Sequence, residues 1–441
     1  MAGPSTGTQL RELILVVGPA AALIAGAFWL AYQFVEPAPP KVIRMTTGGE
    51  SGAYFRFGQR YAELMKASGV RIEVVPSAGS VENAKRLDDP ASGFKLGLLQ
   101  GGIANATTSP DLVSLGRVFL EPLWIFYRGE ATRTRLGELR GQRLAVGGEG
   151  SGTRVLAETL LAANQVTASN ATLLAVSGQK AVDALLAGEA DAIFLAFAPE
   201  APIIQGLLRN PSVKLISLAQ AEAYTRIFPY LAKVVLPQGV IDLDGNVPPA
   251  DVTLVAAQAA LVARADLHPA LAELMVDVAR AVHGTGGLFQ RIGDYPKGLD
   301  PEFPMSDDAE RIYKNGQPFL RRFLPFWIAN FIERMVVLVV PLATILIPVA
   351  KILPWLYEWR IKQRLLYWYG QLKALERRIG PGRGEGARSG AAAEQHALNL
   401  AEIERIEEAV SLIPVPLRYS DRLYELRAAI DLVRNRLASA A

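Results

Sequence analysis

Twice in this chain a short apolar strand runs into a glycine-rich turn and then an amphipathic helix, about a hundred residues apart. The first copy is "VIRMTTGGESGAYFRFGQRYAELMKASG", from Val42, and the second is "RLAVGGEGSGTRVLAETLLAANQV", from Arg143. Each is followed by strand, Ser/Gly turn, short amphipathic helix and strand, in "RIEVVPSAGSVENAKRLDDPASGFKLGLLQ" and in "ATLLAVSGQKAVDALLAGEADAIFLAF". This order predicts an α/β chain of two similar lobes, each built on a largely parallel sheet. In open sheets of that kind ligands sit beyond the carboxyl ends of the strands, at helix N-termini. Two such lobes face each other across a cleft and offer donors to one ligand from both sides.

The stretch "TTGGESGAY", with Gly49, Ser51 and Ala53 in register, nearly spells the G-x-S-x-G/A elbow of a serine nucleophile. It equally describes a glycine turn whose free N–H groups hold an anion. Acyl transfer needs one serine, a base and an oxyanion hole, whereas a pair of equivalent turns serves an anion held from two sides. Ser51 is therefore read as a donor. The second turn, "GEGSGT", lacks the Gly-Lys-Ser/Thr ending of a P-loop.

At 441 residues the chain exceeds one ordinary core, and a net charge of +3 with mixed signs leaves no nucleic-acid footprint. With no cysteine and three histidines, metal sites and imidazole catalysis are poorly supplied. No metal, cofactor or catalytic residue is expected. His268 and His396 read as solvated. His283, before "GTGG", is the one partner for a serine nucleophile, and also reads as the last turn of a helix with glycine after it.

Residues 13–35 carry no charge and reach the roughly 30 Å of a bilayer's hydrocarbon, which predicts an uncleaved anchor. The proline-rich "EPAPPK" then reads as a stiff spacer. Residues 335–350, with Pro341 and Pro348, predict one tilted or kinked span entered through the interfacial "FLPFWIANFIER". Lys351, Arg360, Lys362, Arg364, Lys373, Arg377 and Arg378 follow that span and put its C-terminal side in the cytoplasm. Both termini are then cytoplasmic.

The motifs "TTGGESGAYF", "SAGSVENAKRL", "LGLLQ", "GQRLAVGGEGSGTR" and "AVDALLAGEADAIFLAF", in this order, resemble the solute receptors of the TAXI group of TRAP transporters over residues 42–287. The resemblance implies a two-lobed type II periplasmic-binding-protein fold that closes on a small carboxylate. Glutamate, a dicarboxylate or a keto acid is the implied ligand, delivered to TRAP membrane subunits. It also implies a site made of Gly49, Ser51 and Tyr54, then Ser80, Val81, Asn83 and Gln100. The second lobe adds Ser151, Gly152 and Thr153; from residue chemistry alone Arg154 reads as a carboxylate clamp, and Tyr54, Phe197 and Trp124 as cleft walls. Ser80 and Ser151 also read as plain helix caps, Asn83 as exposed, Arg154 as solvated and Tyr54 as core. "EPLWIFYR" departs from the Glu-Pro-x-His run of relatives by placing Trp124 at the histidine.

The expected organisation is an anchor and spacer over residues 1–40 and a two-lobed domain over 41–325. Lobe 1 takes 41–128 and 232–325 and lobe 2 takes 129–231, with hinges near 127–134 and 230–235. An interfacial and transmembrane segment covers 326–357, and a cytoplasmic helical tail covers 358–441. The tail reads as a basic helix, a glycine linker and an antiparallel, coiled-coil-like hairpin that docks on a transporter subunit, associates with a second copy or packs on itself. The chain is thus expected in a bacterial inner membrane with its binding domain in the periplasm. A sensor signalling through the hairpin, and a Ser51 hydrolase using His283, are the competing functions.

Overall fold

The computed structural model describes residues 37–50, 52–380, 390–413 and 420–439, with scattered helical residues between 18 and 29. Ser51 and most of the expected anchor lie outside the described residues. The chain divides into two units, residues 37–331 and residues 1–36 with 332–441.

In the first unit β1 (Val42–Thr46), α1 (Ala53–Ala67), β2 (Arg71–Val75), α2 (Ser80–Asp88) and β3 (Phe94–Gln100) open lobe 1. The long β4 (Leu112–Tyr127) leads into lobe 2. There β5 (Arg143–Ala145), α3 (Gly152–Ala163), β6 (Thr172–Leu174), α4 (Gly178–Ala187) and β7 (Ala192–Ala196) repeat the first pattern. Then come α5 (Pro202–Leu208), β8 (Lys214–Leu215), α6 (Ala221–Ile227) and β9 (Leu231–Leu236). Finally β10 (Val252–Arg264) returns to lobe 1, followed by α7 (Pro269–His283) and α8 (Asp307–Asn315).

Strand order is β2-β1-β3-β10-β4-β7-β5-β6, with β8 on β4 and β9 on β10. β1 pairs in parallel with β2 and β3, and β5 with β6 and β7. The strands that cross between lobes, β4 and β10, run antiparallel to their neighbours. The result is a mixed α/β arrangement of two lobes joined by β4 and β10.

β10 is flanked by β3 and β4 and covered on both faces, which accounts for its near-continuous apolar run "VTLVAAQAALVAR". α1 holds by a single stripe, burying Tyr54, Gly58, Tyr61 and Met65, spaced by four, three and four residues.

Lobe boundaries differ from the sequence expectation. β4 exchanges β10 for β7 between Pro122 and Leu123. β9 and the first half of β10 belong to lobe 2, because Val234, Leu236, Leu254 and Ala256 pack with Trp124, Phe126 and Ile193. The chain therefore crosses within two continuous strands, near 122 and 258, and not in loops near 127–134 and 230–235. The spacer is docked at its end: Pro39 is buried, and His268 contacts the Pro37 carbonyl at 2.8 Å while its Nδ1 accepts from the Ala270 amide at 3.1 Å. His268 is a cap, not a solvated side chain.

The second unit holds most of α9 (Phe326–Ile379), then α10 (Gly390–Ser411) and α11 (Ser420–Ser439). Ile361, Leu365, Leu372 and Leu375 of α9 pack with Ile403, Ile406 and Val410 of α10 and Leu423, Leu426 and Ile430 of α11. The basic helix thus supplies one of three core stripes, so the expected two-helix hairpin is a three-helix packing. No single helix among the described residues is long and apolar enough to cross a membrane. Phe326–Val337 and Leu342–Ile352, meeting at 43°, reach that length and composition together.

Candidate functional site

A cavity of about 610 Å³ lies between the lobes. Gly48, Gly52, Tyr54, Ser80 and Gln100 line it from lobe 1, and Ser151, Gly152, Thr153, Gly178 and Phe197 from lobe 2. The first residues of α1, α2, α3 and α4 all border it, so four helix N-termini converge on one space. The caps of α1, α2 and α4, at Gly52, Gly79 and Ser177, make no side-chain hydrogen bond to the helix. Their leading amides are left to an occupant. Each such terminus favours negative charge by about 0.3–1 kcal/mol, more where partly buried. α2 is the weakest of the four, because Glu82 in its first turn accepts from the Ala78 amide at 2.7 Å.

Ser151 is committed to capping: its Oγ accepts from the Arg154 amide at 3.2 Å and donates to the Gly148 carbonyl at 2.7 Å. The groups α3 has to offer are the amides of Gly152 and Thr153. Ser80 Oγ accepts from the Gln100 amide at 3.0 Å. The Gln100 side chain crosses the cleft, and its Nε2 donates to the Gly152 carbonyl at 2.9 Å. A Cβ on Gly152 would lie 2.5 Å from Gln100 Oε1, so this approach requires glycine.

Five expected residues stand elsewhere. Gly49 and Val81 are not among the lining residues. Asn83 is fully buried: its amide donates to the Thr47 and Leu98 carbonyls and its oxygen accepts from Thr46 and Ser77 hydroxyls. All its hydrogen-bonding capacity is used, so it pins the two turns that enter the cavity and is neither an exposed residue nor a ligand group. Trp124 has no exposure and donates its indole N–H to the Phe197 carbonyl at 2.9 Å. It sits in the lobe 2 core behind Phe197, not on the cleft wall. Arg154 reaches Glu158 at 2.8 Å, a local i, i+4 pair away from the cavity. Ser51 lies outside the described residues.

Among the lining residues outside the expected set are Arg56, Phe119, Glu121 and Gln179. Gln179 had a signal in the repeat, since "SGQKAV" occupies in lobe 2 the place of "AGSVEN" in lobe 1. Glu121 belongs to the same "EPLWIFYR" run that drew attention to Trp124. The Tyr54 hydroxyl donates to Glu121 Oε2 at 3.0 Å. Burial pushes the Glu121 carboxyl up to about 7, against a smaller lowering by that hydrogen bond. Burial and the Glu121 charge together push the Tyr54 hydroxyl well up.

His283 stands behind this wall, stacked on Phe119 at 5.4 Å and hydrogen-bonded through Nε2 to the Tyr61 hydroxyl. Burial holds its imidazole neutral, with a pKa lowered to about 3. It does not line the cavity, and it packs behind Phe57 and Phe119. Among the described residues no cluster of three or more His, Asp or Glu is placed to hold a metal ion.

The family model of the NMT1-like family matches residues 45–282, more than half of the chain. Among solved structures the chain is similar to the alkanesulfonate-binding protein SsuA from Xanthomonas axonopodis pv. citri bound to MOPS. The identity is 18%, covering 44% of this chain and 70% of that one, with a TM-score of 0.32. It is similar to the periplasmic aliphatic sulphonate-binding protein SsuA from Escherichia coli at 14% identity, covering 73% and 88%, with a TM-score of 0.34. An ancestral arginine-binding protein bound to arginine is 12% identical, covering 56% and 95%, with a TM-score of 0.35.

Proposed function

This chain belongs to the NMT1-like family, and we propose that it is a membrane-tethered solute receptor whose two lobes close on a small carboxylate. The observation that carries the reading is the convergence of four helix N-termini, two from each lobe, on one cavity. An anion there is held by amides from both sides, so its binding free energy favours the closed arrangement of the lobes. Glutamate-like solutes, dicarboxylates and keto acids are the proposed ligands. The motifs shared with TAXI-type receptors support delivery to a TRAP-type transporter.

The proposed location is a bacterial inner membrane, with the binding unit in the periplasm and both termini in the cytoplasm. Supporting it are the apolar residues 13–35 and the exposed Val336, Val337, Val339, Val340 and Ile347 of α9. A sensor role is the second reading, favoured by the separate three-helix core that continues α9.

A thermal-shift screen of the full-length chain in detergent, with dicarboxylates, amino acids, keto acids and sulfonates, tests the ligand. A carboxylate at a hundred times its Kd stabilises by about 2.7 kcal/mol, or roughly 4 °C for a unit of this size. A shift with no carboxylate contradicts the proposal. Because the chain has no cysteine, single-cysteine labelling from outside the cell tests the location. Asp244→Cys is expected to label and Glu408→Cys is not.

A further inference from the structure

The cavity that offers helix N-termini to an anion also contains a carboxyl group, and the two features oppose each other. Glu121 lines the cavity, and its one hydrogen bond among the described residues is accepted by Oε2 from the Tyr54 hydroxyl at 3.0 Å. Among the described residues no buried cation pairs with it. On its own strand Arg117 is engaged by Asp300 at 2.5 Å, Glu302 at 2.6 Å and the Gln258 carbonyl. β10 places Ala257 opposite it and Gln258 next in line. α1 contributes Tyr54 and the exposed Arg56, which makes no ion pair among the described residues. α7 contributes only His283, behind Phe119 and neutral. From lobe 2 the facing residues, Gln179, Phe197 and Ile203, are uncharged.

An ionised Glu121 in these surroundings repels the anion that the helix starts attract, and a protonated one donates a hydrogen bond to it instead. We propose that Glu121 is a specificity-determining residue of this site, admitting a solute anion only together with a proton that its own carboxyl keeps. The inference rests on the anion-site reading of the cavity and adds the charge the site accepts. The free carboxyl already titrates near neutrality because of its burial, so the proton is available at ordinary pH. Reciprocity of linkage then requires that anion binding raise the affinity of Glu121 for its proton.

Isothermal titration of the full-length chain with succinate, 2-oxoglutarate and methanesulfonate, in the cationic buffers imidazole and Tris between pH 6.5 and 9, tests this. Differing buffer ionisation enthalpies give the protons taken up per anion bound. For the native chain we expect uptake approaching one proton at pH 8 and above, with affinity falling close to tenfold per pH unit there. In Glu121→Gln we expect no uptake and an affinity that no longer changes with pH. Binding without uptake in the native chain, or an unchanged slope in the variant, overturns the inference and leaves the anion site standing. No binding of any of the three at any pH overturns both. Should Glu121→Gln not fold, Tyr54→Phe removes the bond that favours the ionised carboxylate, and the fall in affinity is expected at higher pH. A fall at the native pH overturns the inference.

Discussion

From lobe 1 the cavity receives the side chains of Tyr54, Ser80, Gln100 and Glu121, whereas from lobe 2 it receives mainly the amides of Gly152, Thr153 and Gly178 beside Ala196, Phe197 and Ile203. Equivalent positions of the repeat have diverged in the same sense. Asn83, on the fourth residue of "SVEN", is buried and makes four hydrogen bonds. Val182, at the corresponding place in "GQKAV", packs in the apolar core of lobe 2, and its neighbour Asp183 is exposed and accepts one hydrogen bond from Gln179 at 2.9 Å. Duplicated backbone turns can thus supply the same donors while the side chains around them take different work. One lobe selects by charge, and the other closes over the solute with amides and apolar surface.

The widest contrast is expected between Asn83 and Asp183. Asn83→Ala leaves the Thr47 and Leu98 carbonyls buried without their donor, and should cost about 3 kcal/mol in denaturant unfolding. Asp183→Ala should stay within about 0.5 kcal/mol. Equal losses would break the asymmetry.

Next in size is the pH response. The folded Glu121 carboxyl sits at about 7 against an ordinary 4.5, so the folded state holds an extra proton between those values. The associated stability is complete below about pH 4.5 and is lost as pH rises through about 7. After discounting for partial exposure, Glu121→Gln should gain about 2 kcal/mol over the native chain between pH 5 and pH 8. His283 acts in the opposite sense: lowered to about 3, it lets stability fall as pH drops below about 6.5. Taking the difference between variant and native chain at each pH removes that contribution. A difference that does not change with pH would contradict the buried-carboxyl assignment.

Gly152→Ala should displace Gln100 and remove the hydrogen bond that spans the cleft, weakening solute binding about tenfold at little cost to folding. The smallest effect is the cap: Ser151→Ala should destabilise by about 1 kcal/mol, because the Arg154 amide loses its acceptor. Loss of solute affinity without loss of stability in Ser151→Ala would instead return its hydroxyl to the ligand.

The repeat was legible because glycine turns and helical apolar spacing are local signals, and both turns do border the cavity. Asn83 reads from the sequence as a cleft residue, or as exposed on its helix, because helix position alone does not show that Thr46, Thr47 and Ser77 surround it. Glu121 was passed over for a related reason. β4 is irregular, with its register on β10 shifting between Ala259 and Ala260, so alternation along the sequence does not tell which side of the sheet Glu121 faces. Trp124 drew attention as a bulky departure from a motif, yet its partner across the ladder, Leu195, places it in the second lobe. The basic helix after the apolar segment reads as amphipathic, and its charges do not tell what covers its apolar side. Ile361, Leu365, Leu372 and Leu375 lie on one stripe.

Amide hydrogen exchange of the full-length chain, with and without a saturating carboxylate, tests most directly whether both lobes hold one anion. The amides of Ala53 and Tyr54, Ser80 and Val81, Gly152 and Thr153, and Gly178 and Gln179 should all slow together on binding. Protection confined to the helix starts of a single lobe would contradict the account.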